Sequence, residues 1–198
     1  MRLTDAKKDY YRKLAKINGY RSRSAYKLAQ LDCSYRLIKS GNTVVDMGSS
    51  PGGWLQVAKK RVGPEGRVVG IDIEDIHPLK GVTILQGSIV DARIIDEVLT
   101  ILGKKADIIL SDLSPKLTGI WDLDHARQIS LTRSAVAATQ RLLKEGGVSV
   151  FKVFEGELVE QLKQEMKRHF RWVQTRKPKA SRKRSSEEYF VCFGFMLT

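Results

Sequence analysis

The sequence predicts an α/β fold with a mostly parallel, doubly wound sheet, and three observations carry that expectation. Apolar runs of strand length alternate with segments of helical periodicity. The first run, Thr43-Val44-Val45-Asp46-Met47, closes on Gly48-Ser49-Ser50-Pro51-Gly52-Gly53-Trp54 and leads straight into a helical pattern. The last two strands have no helix between them, so they are expected to pair as an antiparallel hairpin at one edge.

In chain order, residues 4–18 place Tyr10, Tyr11, Leu14 and Ile17 on one side of a helix, with Lys and Arg on the other and Asn18-Gly19 as the stop. A second helix is expected over 22–33, with serines available to cap it. Lys39-Ser40-Gly41-Asn42 is a turn, 43–47 the first strand and about 53–62 its helix. Strands follow at 67–73 and 82–87. A helix over 91–102 turns Ile94, Ile95, Val98, Leu99 and Leu102 inward. The fourth strand spans 106–112, and a long helix from about 125 to 144 ends at Glu145-Gly146-Gly147. The fifth strand is 148–154; Leu158, Leu162 and Met166 mark a helix, and the final strands lie at about 171–177 and 189–196. Nothing marks a second domain or a repeat. Residues 1–198 read as one domain, with a basic helical segment at 1–34 and a basic loop at 176–186.

Composition narrows the function classes. No apolar run is long enough to span a bilayer and no signal peptide is visible, so a cytoplasmic protein is expected. Cys33 and Cys192 lie far apart, which argues against a zinc site and a disulfide framework. No metal is expected, and with only His77, His125 and His169 a histidine-based machine is disfavoured. The net charge of +13 is segregated: residues 1–27 carry +7, residues 171–184 carry +7, and the remainder carries −1. Positive ends on a neutral core are the footprint of a polyanion, usually nucleic acid.

Strand, glycine turn and helix bring backbone amides close to a nucleotide-like ligand. The turn lacks the GxGxxG spacing of dinucleotide sites and the Lys-Ser or Lys-Thr of a phosphate-binding loop. Acids closing the first and second strands, Asp46 and Asp72, fit S-adenosylmethionine instead, with Asp72 placed to accept both ribose hydroxyls. Asp112 closes the fourth strand in Ser111-Asp112-Leu113-Ser114-Pro115, and all three acids are expected to point into the crevice beyond the strand ends. Lys152 interrupts the buried run Val148–Phe154; it is either an edge lysine with a snorkelling side chain or a lysine at the crevice doing chemistry.

Together with these stretches, Arg21-Ser22-Arg23-Ser24-Ala25-Tyr26-Lys27-Leu28, Phe151-Lys152-Val153-Phe154 and Arg184-Ser185-Ser186-Glu187-Glu188-Tyr189 resemble, in order and spacing, the FtsJ/RrmJ family of RNA ribose 2′-O-methyltransferases. That resemblance implies a Rossmann-like class I methyltransferase: a seven-stranded sheet with an antiparallel last hairpin and helices on both faces. It implies a catalytic set of Lys27, Asp112, Lys152 and Glu187, with Glu187 chosen over Glu188 because the family's glutamate lies two residues before a tyrosine, here Tyr189. By itself Lys27 reads as a solvated helix lysine. Cofactor positions carry over to Gly52, Trp54, Asp72 and Asp112, with Gly48, Pro51, Gly53 and Ile73 beside them. Where the family often has Gly-Asp after the third strand, this chain has Gly87-Ser88; Ser88 is a shorter, uncharged acceptor for the adenine amine, and Ile89 supplies an apolar face.

The implied reaction moves a methyl group from S-adenosylmethionine to a ribose 2′-hydroxyl, with a uridine of large-subunit (23S-type) ribosomal RNA as the expected acceptor. Transfer RNA is the alternative substrate, and a non-catalytic RNA-binding or ribosome-assembly factor the alternative class. Lys152 acts as general base if neutral; if charged, it orients the hydroxyl and stabilises developing charge. Arg21, Arg23, Lys177, Lys179, Arg182, Lys183 and Arg184 are the expected phosphate contacts. Trp121 is expected on a loop, either stacked on a base or packed on its own domain. A monomer is expected.

Overall fold

The computed structural model describes residues 3–182 and 184–197, with side chains from residue 10 onward. Lys183 therefore lies outside the described residues. Seven strands form one sheet in the order β3-β2-β1-β4-β5-β7-β6: β1 (Thr43–Met47), β2 (Arg67–Asp72), β3 (Thr83–Gln86), β4 (Ala106–Ser111), β5 (Leu143–Phe154), β6 (Phe170–Arg176) and β7 (Glu187–Phe195). The first five are parallel; β7 runs antiparallel between β5 and β6.

Among the described residues six helices flank it: α1 (Leu3–Ile17), α2 (Ala25–Tyr35), α3 (Gly53–Val62), α4 (Ala92–Leu102), α5 (Trp121–Leu142) and α6 (Val159–Met166). Two apolar clusters fill the two faces. One joins α4, α5 and α6 to the sheet through Ile95, Val98, Ile129 and Leu162; the other joins α2 and α3 through Leu28, Leu31, Leu55 and Ala58. Every residue of β1 is buried, as a central parallel strand covered on both faces requires.

Three boundaries differ from expectation. Helix α5 starts at Trp121, because the buried Asp124 carboxylate accepts hydrogen bonds from the Thr118 amide and hydroxyl and the Gly119 amide, fixing the chain just ahead of the first turn. Glu145-Gly146-Gly147 is not a turn between elements but lies inside β5, where the register against β4 shifts and Gly146 takes φ +73°. Ser24 sits at the start of α2 without capping it; its hydroxyl pairs with that of Ser22 at 2.6 Å.

Candidate active site

Gly48 has φ +77°, and a Cβ there would come within 2.9 Å of the Leu113 main chain, so glycine alone lets the turn lie against the segment after β4. Gly52 (φ +105°) and Gly53 look the other way. A Cβ on Gly52 would meet the Arg21 guanidinium at 2.8 Å, and one on Gly53 the Ser22 hydroxyl at 2.3 Å. On that side the paired glycines serve close packing of the Arg21–Ser24 segment.

The helix after the turn explains why that segment stays put. Gln56 accepts from the Arg21 amide and donates to the Gly19 carbonyl, each at 2.8 Å. Trp54 Nε1 donates to the Ser24 carbonyl at 2.9 Å. The Trp54 indole is buried against Tyr189, ring centroids 5.7 Å apart, which leaves the main chain of Trp54 as the part that could meet a cofactor. Arg21, an expected phosphate contact, is engaged within the chain. Its guanidinium donates to the carbonyls of Pro51, His77 and Pro78 at 3.3, 2.6 and 2.7 Å, a use that competes with any phosphate.

These staples set α2 over β5 and β7 and carry Lys27 to their ends. Antiparallel pairing puts Lys152 opposite Tyr189 and Phe154 opposite Glu187, so these four side chains share one face, whereas Glu188 lies opposite Val153 on the other. Lys27 Nζ donates to Glu187 Oε2 at 2.8 Å and lies 5.8 Å above the Tyr189 ring. Lys152 Nζ donates to the Asp112 carbonyl at 2.6 Å and sits 3.4 Å from Asp112 Oδ1. The Tyr189 hydroxyl donates to the same Oδ1 at 2.9 Å. Lys27, Asp112, Lys152 and Glu187 are thus brought together, and both lysines are about 95% buried. The main chain beneath is fixed from α5: Gln128 Nε2 donates to the Lys152 and Leu113 carbonyls, and Thr132 Oγ1 donates to the Lys152 carbonyl.

Tyr189, Gln128 and Thr132 escaped sequence reasoning. For Tyr189 a signal existed, since the alternation Glu187-Glu188-Tyr189 puts it on the face of Glu187. Burial, with the charges of Asp112 and Glu187, pushes its phenol well above the ordinary value, so it remains a donor. Burial alone would raise the Glu187 carboxyl, but the charge and hydrogen bond of Lys27, with Lys152 and Ser185, hold it below the ordinary value.

Asp46 corrects the picture of three acids in one crevice. It is fully buried beneath the turn, and neither carboxylate oxygen has a hydrogen-bond partner among the described residues. Burial, then the charges of Asp112 and Asp72, push its carboxyl well above the usual range. A raised folded-state value means stability that is full below the unfolded value near 4 and lost as pH rises. Asp46→Asn removes that loss. Its melting temperature is expected to exceed that of the wild type by a margin that widens from pH 4 to pH 7, reaching at least about 2–4 °C, roughly 1 kcal/mol in a chain of this size; thermal unfolding across pH checks it.

Beside the turn lies a cavity of about 420 Å³, walled by Ile73, Ile89 and Leu131, with Asp72, Ser88, Lys116 and Arg127 among its polar groups. Asp72 Oδ2 accepts from the Ser50 amide at 2.8 Å and Oδ1 from the Glu74 amide at 2.9 Å, so each oxygen keeps a lone pair for a further donor. A largely apolar cavity with a carboxylate in its wall, near a glycine at positive φ, fits an adenosine-bearing cofactor. Ser88 lines it, with its hydroxyl 3.4 Å from the Val90 amide.

A second pocket, about 580 Å³, opens beyond the ends of β4, β5 and β7 and is lined by Arg23, Trp121, Phe154, Arg182, Arg184 and Glu187. A third, about 660 Å³, runs beside α1 between Arg12, Lys16, Arg21, Arg23 and Arg182. Lys177 and Lys179 are exposed on the segment leaving β6, with Lys177 Nζ 3.7 Å from the Glu155 carboxylate. Among the described residues no group of three or more His, Cys, Asp or Glu side chains is placed to hold a metal ion, and no helix is long and apolar enough to cross a membrane.

The FtsJ-like methyltransferase family model matches residues 20–195. The chain is 46% identical over 196 residues to a protein of Nitrosopumilus maritimus called ribosomal RNA large subunit methyltransferase E, covering 99% of this chain and all of the relative. A protein of the same name from Methanothrix thermoacetophila is 47% identical over 94% of this chain and 72% of its own length. Among solved structures, a Plasmodium falciparum protein described as a ribosomal RNA methyltransferase superposes with a TM-score of 0.81 at 33% identity, covering 89% of this chain and 98% of the other. Aeropyrum pernix fibrillarin, solved with S-adenosylmethionine bound, shares the fold at 14% identity, a TM-score of 0.59 and coverage of 88% and 76%.

Proposed function

The chain belongs to the FtsJ-like methyltransferase family and is an S-adenosylmethionine-dependent RNA methyltransferase, and on that premise we propose that it methylates a ribose 2′-hydroxyl, on a uridine of large-subunit ribosomal RNA, in the cytoplasm. The convergence of Lys152, Asp112, Lys27 and Glu187 at the mouth of the crevice carries this assignment. A binding module has no use for two lysines sunk among carboxylates beside a cofactor-shaped cavity. All four groups come from one chain, so a monomer suffices.

Asp72 and Ser88 would hold the polar parts of the nucleoside, Ile73 and Ile89 its base, and Gly48 admits close approach of the turn. When bound, the cofactor supplies an electrophilic methyl carbon on sulfur. Lys152, a base only as its neutral amine, takes the proton of the attacking 2′-hydroxyl as that oxygen bonds to the methyl carbon and the carbon–sulfur bond breaks, leaving S-adenosylhomocysteine. Asp112, held by the Tyr189 hydroxyl, fixes the Lys152 side-chain nitrogen from both its carbonyl and its carboxylate, and its charge stabilises the ammonium formed once the proton is taken. Lys27 and Glu187 neutralise each other at the edge of the acceptor pocket and hold its wall. Orientation contributes as much as proton transfer, since positioning alone supplies roughly 7–11 kcal/mol in well-aligned systems.

Labelled cofactor with large ribosomal subunits lacking the modification should place label in an alkali-resistant dinucleotide, because a 2′-O-methylated linkage cannot form the cyclic phosphate. Label in alkali-sensitive material would overturn the ribose assignment, and label on transfer RNA in place of the subunit would overturn the substrate.

A further inference from the structure

The 580 Å³ pocket contains three chemical zones that match the three parts of one nucleotide. Its aromatic zone is Trp121 and Phe154, ring centroids 6.3 Å apart and planes 24° from parallel, with His125 stacked on the same indole at 5.9 Å. Trp121 is nevertheless 48% exposed, an unusual position for a tryptophan already stacked on two neighbours. Its cationic zone is Arg23 and Arg182, which line both this pocket and the basic groove beside α1. Its third zone is the Glu187 end, next to Lys27 and the reacting face of Lys152 and Asp112.

The two arginines are not waiting on each other. Neither guanidinium makes a hydrogen bond or ion pair with a described residue, and burial together with the charge of Arg182 presses the Arg23 guanidinium below its ordinary value. Two like charges held near each other at the junction of two pockets are stabilised when an anion bridges them. The groove beyond them, with Arg12 and Lys16, continues the same field away from the reacting groups. A backbone running along that groove reaches the acceptor pocket past Arg23 and Arg182.

We propose that this pocket receives a single nucleotide turned out of its RNA stack, its base laid against the exposed part of the Trp121 indole, its flanking phosphate held between Arg23 and Arg182, and its ribose presented to Lys152. The inference rests on the methyl-transfer reading above and adds the form in which the substrate binds. An A-form duplex would present ribose hydroxyls and phosphates in its shallow groove but no free base face, leaving the aromatic wall without a partner. The pocket volume falls in the range that encloses one drug-sized ligand, which suits one nucleotide. Trp121 is on this account a positioning residue; it orients the acceptor and does not touch the reacting atoms.

Two measurements on the full chain test it. In methyl transfer to unmodified large subunits, Trp121→Ala is expected to lower kcat/KM by roughly 5- to 150-fold, the range for losing one base–aromatic stack. The loss should fall mainly on KM, with cofactor affinity unchanged, and Trp121→Phe should restore most of it. A Trp121→Ala enzyme with wild-type KM overturns the proposal. In a binding arm without cofactor, a short single-stranded oligouridylate should quench wild-type tryptophan fluorescence more than that of Trp121→Phe, and the same oligomer annealed to its complement should not. Equal quenching in the two proteins, or equal quenching by single strand and duplex, also overturns it. If the wild type transfers no methyl group to ribose, the functional reading falls, and the fluorescence arm still decides the stacking.

Discussion

Lys152→Met is expected to lower kcat by about 10²- to 10⁴-fold, the usual contribution of a positioned general base, while cofactor affinity is unchanged. The separation follows from the geometry. Lys152 does not line the 420 Å³ cofactor cavity, whereas its side-chain nitrogen is fixed at 2.6 Å from the Asp112 carbonyl and 3.4 Å from Asp112 Oδ1. Methionine keeps the length and the apolar stem, and Tyr189 still donates to Asp112, so the fold keeps its packing. Lys152→Arg should not rescue. A planar guanidinium cannot be deprotonated at working pH, and its bulk does not fit a site about 95% buried. Single-turnover transfer from labelled cofactor, beside equilibrium binding of the cofactor, checks both halves. A methionine variant that turns over at the wild-type rate would sink the role given to this lysine.

The strand and helix pattern was legible because it is local. Val44-Val45 and Val148–Phe154 announce buried strands by composition alone, and the lysine inside the second announces itself by not belonging there. Side-chain destinations were not legible where they depend on contacts across the chain. Trp54 reads as part of a ligand turn until its indole is seen bonded to Ser24, thirty positions earlier. Nothing local to Arg21 shows that its guanidinium meets carbonyls 56 and 57 positions away. Asp46 reads as a third acid of the crevice because it closes a strand, yet burial on both sheet faces removes it from solvent. The start of α5 at Trp121 was within reach: Asp124, with two amides ahead of it to accept from, is a helix-start signal, but it acts across six residues and the Gly119 turn hid it.

The Lys27–Glu187 contact makes the second large expectation, and it is one of stability as well as catalysis. Lys27→Met leaves the Glu187 carboxylate among Tyr189, Ser185 and the acceptor pocket without its nearest cation. Breaking a fully buried pair costs about 3–5 kcal/mol, but the Glu187 side chain is 23% exposed, so screening reduces the expected loss to about 1–3 kcal/mol. The pH dependence fixes the cause. In the wild type the Glu187 value is depressed, so its contribution is present above the unfolded value near 4.3 and lost only as pH falls below it. In Lys27→Met burial dominates and the folded value rises, so the carboxylate costs stability at neutral pH and stops doing so once protonated. The gap in melting temperature between wild type and variant should therefore be widest near pH 7 and close toward pH 4. Adding Glu187→Gln to the variant should recover part of the loss at pH 7, because the uncompensated charge is gone. A gap that stays constant from pH 7 to pH 4 would mean that Lys27 stabilises by packing on Tyr189 and that its charge on Glu187 contributes nothing to the fold.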